Sequence, residues 1–583
     1  MREKMEDWRI YGKRADFAAI GQAFHISPVT ARVIRNRDVC GQEEIQNYLY
    51  GDESSLYSPF LMKDLERACD ILLSKIETGR KIRVAGDYDC DGVTSTYILL
   101  TALNRLGADA DYVIPDRIHD GYGINESIIR KAAAEGVDTI LTCDNGISAA
   151  EQIALARDLG MTVIVTDHHD IPERGIPDCA AVVNPKQADC PYPFKGLCGA
   201  VVAFKLVQAM YQKRGLPREE ASAFLEYAAL ATVADVMELK GENRTLVKEG
   251  LKRLRQTDSP GLNALMEAAG IRKEALSSYH LGFVIGPCLN ASGRLQTAVL
   301  SLRLLQCRDP RQAEELALRL RQLNEERKDM TVEGTRQAIS LIEAEKMEND
   351  PVLVVYLPGC HESIAGIIAG RLKEQYHRPA IVLTDSQEGV KGSGRSIEAY
   401  HMFRGLQQSA AWLDKFGGHP MAAGLSLRKE NIVPFRQSMI ANAGLKESDF
   451  VKKIWLDMEL PFGWISEELI GELKMLEPFG NGNPRPLFGC RNVSVRRGRV
   501  LGKNANALRL SVADGQGTPM EAVWFGNTEE WLDRMAEKYG RGQVENMLRG
   551  YDNDIRLTIA YYPSVNEYGG RRSLQITIQN VKM

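Results

Sequence analysis

The sequence predicts a multidomain α/β protein: a parallel-sheet α/β domain, a second α/β domain and a C-terminal OB-like β-barrel. Three observations carry this. The 583 residues exceed what one hydrophobic core supports. Strand-like and helix-like segments alternate between residues 66 and 175, and again from residue 351. From about residue 485 the pattern changes to short strands punctuated by turn residues. Composition is that of an ordinary globular protein, 44% hydrophobic and 26% charged. No apolar run is long enough to span a bilayer, and the charged start, Met1 to Trp8, does not read as a signal peptide, so no membrane partner is expected. The 11 cysteines are scattered with no Cys-x-x-Cys, which points to reduced thiols in a cytoplasm rather than a disulfide framework or zinc ribbon. A net charge of −4 neither suggests nor excludes nucleic acid, because an aspartate-rich metal site hides local basic surface in the sum.

Residues 1–65 read as a mixed N-terminal segment, and the first α/β domain is assigned to 66–310. Its strands are Lys81-Ile-Arg-Val-Ala85, Ala110-Asp-Tyr-Val-Ile114, Asp138-Thr-Ile-Leu-Thr-Cys143 and Met161 to Thr166, which closes the series. Helices fall between them at about Gly92–Leu106, Glu126–Glu135 and Ser148–Leu159, a βα repeat that implies a parallel sheet covered on both faces. In such sheets ligands collect at the carboxyl ends of the strands. Residues 199–256 look mostly helical, and the charged stretch 311–346 reads as a solvated connecting helix. The second α/β domain, 347–450, opens with a strand at Pro351–Tyr356, then a helix at about Ser363–Tyr376 and a strand at Ala380–Leu383. Residues 451–583 comprise a linker and the barrel, with strands at Val493–Gly498, Ala507–Val512 and Ile555–Ile559. From Arg485 to Lys582 there are 15 Lys and Arg against 10 Asp and Glu, a net +5. Trp524, Phe525, Trp531, Tyr551, Tyr561 and Tyr562 lie among them; basic residues interleaved with rings suit single-stranded nucleic acid, although most of these rings individually read as core.

Four segments carry chemistry. Gly86-Asp-Tyr-Asp-Cys-Asp-Gly92 puts Asp87, Asp89 and Asp91 just past a strand, where they repel one another unless a cation neutralises them. Hard oxygen ligands suit Mg²⁺ or Mn²⁺. Asp144 ends the strand at Cys143, and Asp167-His168-His169-Asp170 ends the strand at Thr166; imidazole among carboxylates shifts the balance toward Mn²⁺. Asp235 closes the apolar segment Ala231-Thr-Val-Ala, and taken alone it reads as a helix N-cap. Six acids and two histidines at successive strand ends of one sheet are expected to form a metal site. Asp89-Cys-Asp91-Gly92 also resembles the nucleophile loop of haloacid dehalogenase-like phosphatases, but that chemistry has no use for Asp-His-His, and no convincing downstream Lys with paired Asp follows.

In order and spacing, Asp87-Tyr-Asp89-Cys-Asp91-Gly92, Asp144, Asp167-His168-His169 and Asp235 resemble the four motifs of the DHH phosphoesterase superfamily. The second α/β unit resembles the associated DHHA1 domain through His361-Glu-Ser-Ile-Ala-Gly-Ile367, Gly392-Ser-Gly-Arg-Ser396 and Phe416-Gly-Gly-His-Pro420. Leu289-Asn-Ala-Ser-Gly-Arg-Leu295 and Leu476-Glu-Pro-Phe-Gly-Asn-Gly-Asn483 narrow the likeness to the RecJ family of single-strand-specific 5′→3′ DNA exonucleases. Ala85 stands where many superfamily members have a histidine, which argues against a class II pyrophosphatase.

The resemblance implies a two-metal phosphodiesterase using Mn²⁺ or Mg²⁺, with Asp89, Asp91, Asp144, His168 and Asp235 as ligands and Asp144 bridging. Asp87 and Asp167 would orient ligands, or bind directly, and His169 would contact the scissile phosphate. Ser393, Arg395, Gly417, Gly418 and His419 would cradle the terminal 5′-phosphate, and Arg117, Tyr122 and Arg294 would meet the strand. Taken singly, Arg117 reads as a surface ion pair, Tyr122 as a core ring and Arg294 as half of a buried pair. The implied function is degradation of single-stranded DNA from its 5′ end to 5′-mononucleotides in repair and recombination, with a helicase and a single-strand-binding protein as partners. The alternatives are a DHH phosphodiesterase of oligoribonucleotides or cyclic dinucleotides, enzymes that are typically shorter and lack the barrel, and a binding scaffold that has lost its metal ligands. Here the acidic motifs and both histidines are intact.

Overall fold

The structure, a computed structural model, describes residues 6–387, 389–502, 505–568 and 570–583. These fall into two compact units: residues 56–238 with 242–452, and residues 6–55 with 239–241 and 453–583.

The larger unit is built on two sheets. The first holds β1 (Ile82–Ala85), β2 (Ala110–Val113), β3 (Thr139–Cys143), β4 (Thr162–Thr166) and β5 (Ala181–Val183), interleaved with helices α1 (Cys90–Arg105), α2 (Glu126–Ala134) and α3 (Ala150–Asp158). All neighbours are parallel, in the order β2-β1-β3-β4-β5. β1 and β3 are buried along their whole length, as strands covered on both faces must be. The expected series of four strands gains a fifth: β5 pairs with β4 through Ile164↔Ala181 to Thr166↔Val183, so Thr166 does not close the sheet. The strand order reverses between β1 and β3, and the crevice outside their carboxyl ends is the topological switch point at which such sheets bind ligands.

Helices wrap this sheet. α1 is buried from Cys90 to Leu100 and again at Ala102 and Leu103, and α4 (Gly199–Lys213) is buried over most of its length, so both lie inside the domain. Lys205 of α4 is fully buried because Glu242 Oε1 and the Tyr57 carbonyl each accept its ammonium at 2.7 Å. α5 (Leu225–Ala234) and α6 (Gly286–Leu295) complete the helical wall, and α7 (Pro310–Ala344) runs unbroken for 35 residues where a connecting helix was expected. The second sheet holds β6 (Leu353–Tyr356), β7 (Ala380–Ser386), β8 (Gly389–Arg395), β9 (Lys415–Gly418) and β10 (Ala422–Leu427), in the order β9-β10-β8-β7-β6, with α8 (Glu362–Tyr376) packed on β7 and β8. Only β6 and β7 are parallel.

The smaller unit is a β-domain with helices. Phe488–Leu501, Ala507–Ala513, Pro519–Phe525, Arg571–Lys582 and Arg556–Tyr568 pair in that order, and the last also pairs with the first, so the ladder closes on itself as a barrel requires. Two helices, Thr528–Tyr539 and Arg541–Arg549, interrupt the strands that the sequence pattern suggested. Of the six rings noted in this region, Trp531 and Tyr561 are core, whereas Phe525 and Tyr551 are exposed. The helical segment at residues 17–50 packs in this unit: Arg37 donates to both oxygens of buried Asp457 at 2.8 and 3.0 Å, and Tyr48 donates to Asn483 Oδ1 at 2.8 Å. Asn483 in turn donates to the Leu476 and Pro478 carbonyls, so the Leu476–Asn483 motif is a self-bonded turn. Among the described residues no helix is long and apolar enough to cross a membrane.

Candidate active site

The acidic motifs meet at the switch point. After β1 the chain turns through Gly86 and Asp87 into α1; a Cβ on Gly92 would lie 2.6 Å from Asp87 Cα, so only glycine lets the loop fold onto the helix start. Asp89 caps α1, accepting from Asp91 N at 2.9 Å and Gly92 N at 3.1 Å. Buried Asp91 is met by two amides at the start of α4: Gly199 N donates to Oδ2 and Ala200 N to Oδ1, each at 2.7 Å. The positive end of α4 thus stabilises this carboxylate and aims it. Asp144 follows β3 in the left-handed region at φ 61°, and Gly199 leaves room for it, since a Cβ there would stand 2.6 Å from Asp144 Cβ.

Asp167, directly after β4, accepts from Ile147 N on one oxygen, and from His168 N and His169 N on the other. The same Oδ1 lies 2.7 Å from His169 Nδ1. Burial acts to raise the Asp167 pKa, but His169 and these amides outweigh it and hold the carboxyl below its ordinary range. Burial likewise opposes charge on His169, yet Asp167 lifts its imidazole to about 9. His168 points the other way: its Nε2 lies 3.1 Å from Asp144 Oδ1, 3.7 Å from Asp91 Oδ2 and 3.8 Å from Asp235 Oδ2. Burial lowers the His168 pKa, so it is a neutral imidazole suited to ligation.

Asp235 corrects one expectation. It does not end a strand, and it is no N-cap; it is the C-cap residue of α5. α5 is buried on all sides up to Thr232, so its apolar run carries no helical periodicity, and it delivers its last residue to the same crevice.

The donor set fits hard divalent cations. Three groups bring ligand atoms within 4.8 Å of one another: Asp144 with His168 and His169, Asp91 with His168 and Asp235, and Asp87 with Asp89 and Asp144. Burial first, and mutual repulsion second, push Asp87, Asp144 and Asp235 well above the usual carboxylate range; burial also raises Asp91. Asp87 Oδ1 and Asp144 Oδ1 are buried without a hydrogen-bond partner. Crowded buried carboxylates with free lone pairs are the environment that a divalent cation relieves.

The second sheet carries a row of small residues. Ser393 on β8, Gly424 on β10 and Gly417 on β9 lie in register across three strands, and a Cβ on either glycine would meet nothing within 4 Å. Gly418 at φ 144° could not carry a side chain, because its Cβ would stand 2.4 Å from the Ala422 carbonyl oxygen. Arg395 lies against α8, where a Cβ on Gly366 would come 2.9 Å from a guanidinium nitrogen. His419 Nδ1 reaches to 3.5 Å from Asp170 Oδ2, beside the Asp167-His168-His169 turn.

Arg294, at the end of α6, donates to the Ser363 carbonyl of α8 at 2.7 Å. Neither Arg294 nor Arg395 has a carboxylate partner among the described residues, so the buried pair that Arg294 suggested alone is absent. Burial, with Arg117 and Arg327 nearby, lowers Arg294 to about 9. Arg117 is no surface ion pair either: its guanidinium stacks over the Tyr88 ring at 3.9 Å. Tyr122 is not core; it is 51% exposed and donates to the Asp144 carbonyl at 2.9 Å, with His169 Nδ1 3.2 Å from its hydroxyl.

Sequence reasoning missed Tyr88, the amides of Gly199 and Ala200, and Asn290, whose Oδ1 accepts from Cys90 N at 2.8 Å. The only sequence signal for Gly199 and Ala200 was a small-residue pair opening a helix.

Comparison with known proteins places this architecture. Residues 81–232 match the DHH family N-terminal domain, residues 349–443 the DHHA1 domain and residues 456–580 the RecJ OB domain. The chain is 35% identical over 566 residues to the single-stranded-DNA-specific exonuclease RecJ of Bacillus subtilis, covering 96% of this chain and 69% of that one. It is 33% identical over 583 residues to the enzyme of the same name from Haemophilus influenzae, covering 97% of both. The crystal structure of Thermus thermophilus RecJ in complex with Mn²⁺ superposes with a TM-score of 0.83 at 28% identity, covering 100% of this chain and 80% of that one. With its acidic switch-point cluster, its glycine-lined second sheet and its closed terminal ladder, the chain belongs to the RecJ family.

Proposed function

We propose that this chain is a divalent-metal-dependent exonuclease that degrades single-stranded DNA from its 5′ end to 5′-mononucleotides, in repair and recombination. The observation that carries the reading is the convergence of Asp87, Asp89, Asp91, Asp144 and Asp235 with His168 and His169 at one crevice. Asp89, Asp91, Asp144, His168 and Asp235 would hold two cations, Mn²⁺ or Mg²⁺; Asp144 and His168 each belong to two of the three ligand groups, and Asp144, whose carboxylate offers two oxygens, would be the ligand they share. The cations supply activation of water and neutralisation of phosphate charge. Asp87 and Asp167 orient the ligating groups. His169, held protonated by Asp167, donates to the scissile phosphate.

Ser393, Arg395, Gly417, Gly418 and His419 bind the terminal 5′-phosphate: the guanidinium forks onto phosphate oxygens, and the bare strand backbone admits the group closely. Arg117, Tyr122 and Arg294 meet the strand between that pocket and the metals. Single-strand preference and 5′ polarity both follow from a pocket that takes one chain end. The terminal domain guides longer strands, a helicase and a single-strand-binding protein supply them, and the enzyme works in the cytoplasm. The same reading divides the chain at residues 65, 310, 346 and 450, and each family match falls within one segment.

The test is digestion of single-stranded oligonucleotides in Mn²⁺, comparing free, 5′-blocked and 3′-blocked ends. Mononucleotide release that a 5′ block stops and a 3′ block spares supports the reading. Release from the 3′ end, or turnover of dinucleotides alone, overturns it.

A further inference from the structure

At the switch point the strands that carry the acidic motifs part. Ala85↔Thr142 is the last register pair between β1 and β3, and Cys143↔Thr166 the last between β3 and β4. Beyond these pairs the backbone amides turn outward. Gly86 N donates to the Val113 carbonyl on the β2 side at 3.0 Å, and Asp144 N to the Thr166 carbonyl on the β4 side at 3.1 Å. Neither amide is then free to close the β1–β3 seam. The side chain of Asn145 closes it instead. Fully buried, its Nδ2 donates to the Ala85 carbonyl at 3.0 Å and to the Cys143 carbonyl at 2.9 Å.

An asparagine after a strand is ordinarily a turn residue whose side-chain oxygen accepts from the backbone two residues on. Asn145 does the opposite. Both of its neighbours are carbonyls, which fixes the amide with its nitrogen toward them. Its Oδ1 is left buried with no hydrogen-bond partner. A buried acceptor without a donor is costly, and the two donated bonds are what offset it.

The same turn holds Asp144. Asp144 sits at φ 61° and Gly146 at φ 110°, so the chain doubles back on β3 with Asn145 at the centre. A Cβ on Gly146 would stand 2.6 Å from Thr142 Oγ1. The bond from Asn145 to the Cys143 carbonyl spans Asp144 and closes a small ring around it. The other ties on Asp144 also act on its backbone: its N–H donates to Thr166, and its carbonyl accepts from the Tyr122 hydroxyl. The Tyr122 loop seats on Asn145 too, where a Cβ on Gly123 would lie 3.5 Å from Asn145 Cβ. The Asp144 carboxylate keeps a buried oxygen with no hydrogen-bond partner. The turn thus fixes where that carboxylate stands and leaves its lone pairs for a cation.

We propose that Asn145 is a positioning residue of the metal centre: its side-chain amide staples the parted ends of β1 and β3 and holds Asp144 in the left-handed turn that presents its carboxylate to the crevice. Asn145 acts through Asp144 and not as a ligand itself. The proposal rests on the two-metal reading of that crevice.

The test compares full-length wild type with Asn145→Ala and Asn145→Asp by calorimetric Mn²⁺ binding without DNA. Asn145→Asp keeps the shape and loses the donor. Its added charge would by itself favour a cation, so weaker binding reads the lost staple. Both variants should bind Mn²⁺ about ten- to a hundredfold more weakly than wild type, the range for a group that orients a metal ligand. On single-stranded DNA the Mn²⁺ concentration for half-activity should rise in parallel. At saturating Mn²⁺, KM for the strand should be unchanged and kcat largely restored. Wild-type Mn²⁺ affinity in Asn145→Asp would mean that shape alone suffices and overturns the staple. Lost cleavage with unchanged Mn²⁺ affinity overturns it as well. Circular dichroism and metal-free melts check the fold; if neither variant folds, the proposal is overturned, because the bridge then holds the sheet rather than the carboxylate. The two readings separate. If wild type binds Mn²⁺ in an Asn145-dependent way but cleaves no strand, the exonuclease assignment fails and the staple stands. If wild type cleaves in Mn²⁺ and both variants match it, the staple alone fails.

Discussion

The charge on His169 depends on one neighbour. Burial opposes its protonation, and the Asp167 carboxylate at 2.7 Å overrides burial to lift it to about 9. Asp167→Asn removes that charge while keeping the shape, so the His169 pKa falls and its protonated fraction at neutral pH drops. We expect an NMR titration to show the downward shift, and kcat to fall about a hundredfold or more. The metal carboxylates carry the opposite lesson. Asp87, Asp144 and Asp235 titrate well above the usual range in the metal-free cluster, so a cation must displace protons to bind. Apparent Mn²⁺ affinity should therefore rise with pH until the cluster is fully ionised, and calorimetry in two buffers of different ionisation enthalpy should register proton release; binding with no release would contradict the account. At the phosphate pocket, Arg395→Ala should erase the preference for 5′-phosphate over 5′-hydroxyl ends, a loss of about 1.5–3 kcal/mol for a charged hydrogen bond, measured as the ratio of KM values.

At the scale of elements, the site depends on where helices begin. α4 presents two amides to Asp91, and its first residue, Gly199, sits against Asp144. Gly199→Ala should help the helix by up to about 1 kcal/mol on propensity alone. The 2.6 Å approach to Asp144 Cβ outweighs that gain, so the metal-induced rise in Tm should shrink and Mn²⁺ affinity should weaken at least tenfold, read by thermal melts with and without Mn²⁺. This dependence was invisible in the sequence, because Gly199 and Asp144 are 55 positions apart. The strands β1, β3 and β4 were legible, since continuous apolar runs ending in Asp mark buried parallel strands. β5 escaped because three residues carry no period. Asp235 was found as a residue but read as the start of a helix when it caps the end of one, because a helix buried all round carries no apolar period to mark its limits.

At the scale of the molecule, the sequence showed two α/β domains and a terminal β-domain but not that residues 6–55 pack with residues 453–583. That association rests on pairs such as Arg37 with Asp457, 420 positions apart, which no local pattern encodes. Charge placement yields a test here too. Among the described residues Arg117, Arg294 and Arg395 form no close ion pair with a carboxylate, although Asp87 and Asp89 lie near enough to act on Arg117 and Arg294, so phosphates should replace counterions as DNA binds. The logarithm of single-strand affinity should fall linearly with the logarithm of salt, and Arg395→Ala should flatten that slope by about 0.7. An unchanged slope would remove Arg395 from the strand path.

The most direct measurement follows release of 5′-mononucleotides from single-stranded DNA across a Mn²⁺ titration, for wild type and Asp144→Ala side by side. The account predicts metal-dependent release by wild type and none by the variant at any Mn²⁺ concentration, with both proteins folded by circular dichroism. Sustained release by Asp144→Ala, or release by wild type in the presence of excess chelator, would contradict a metal centre built on that carboxylate.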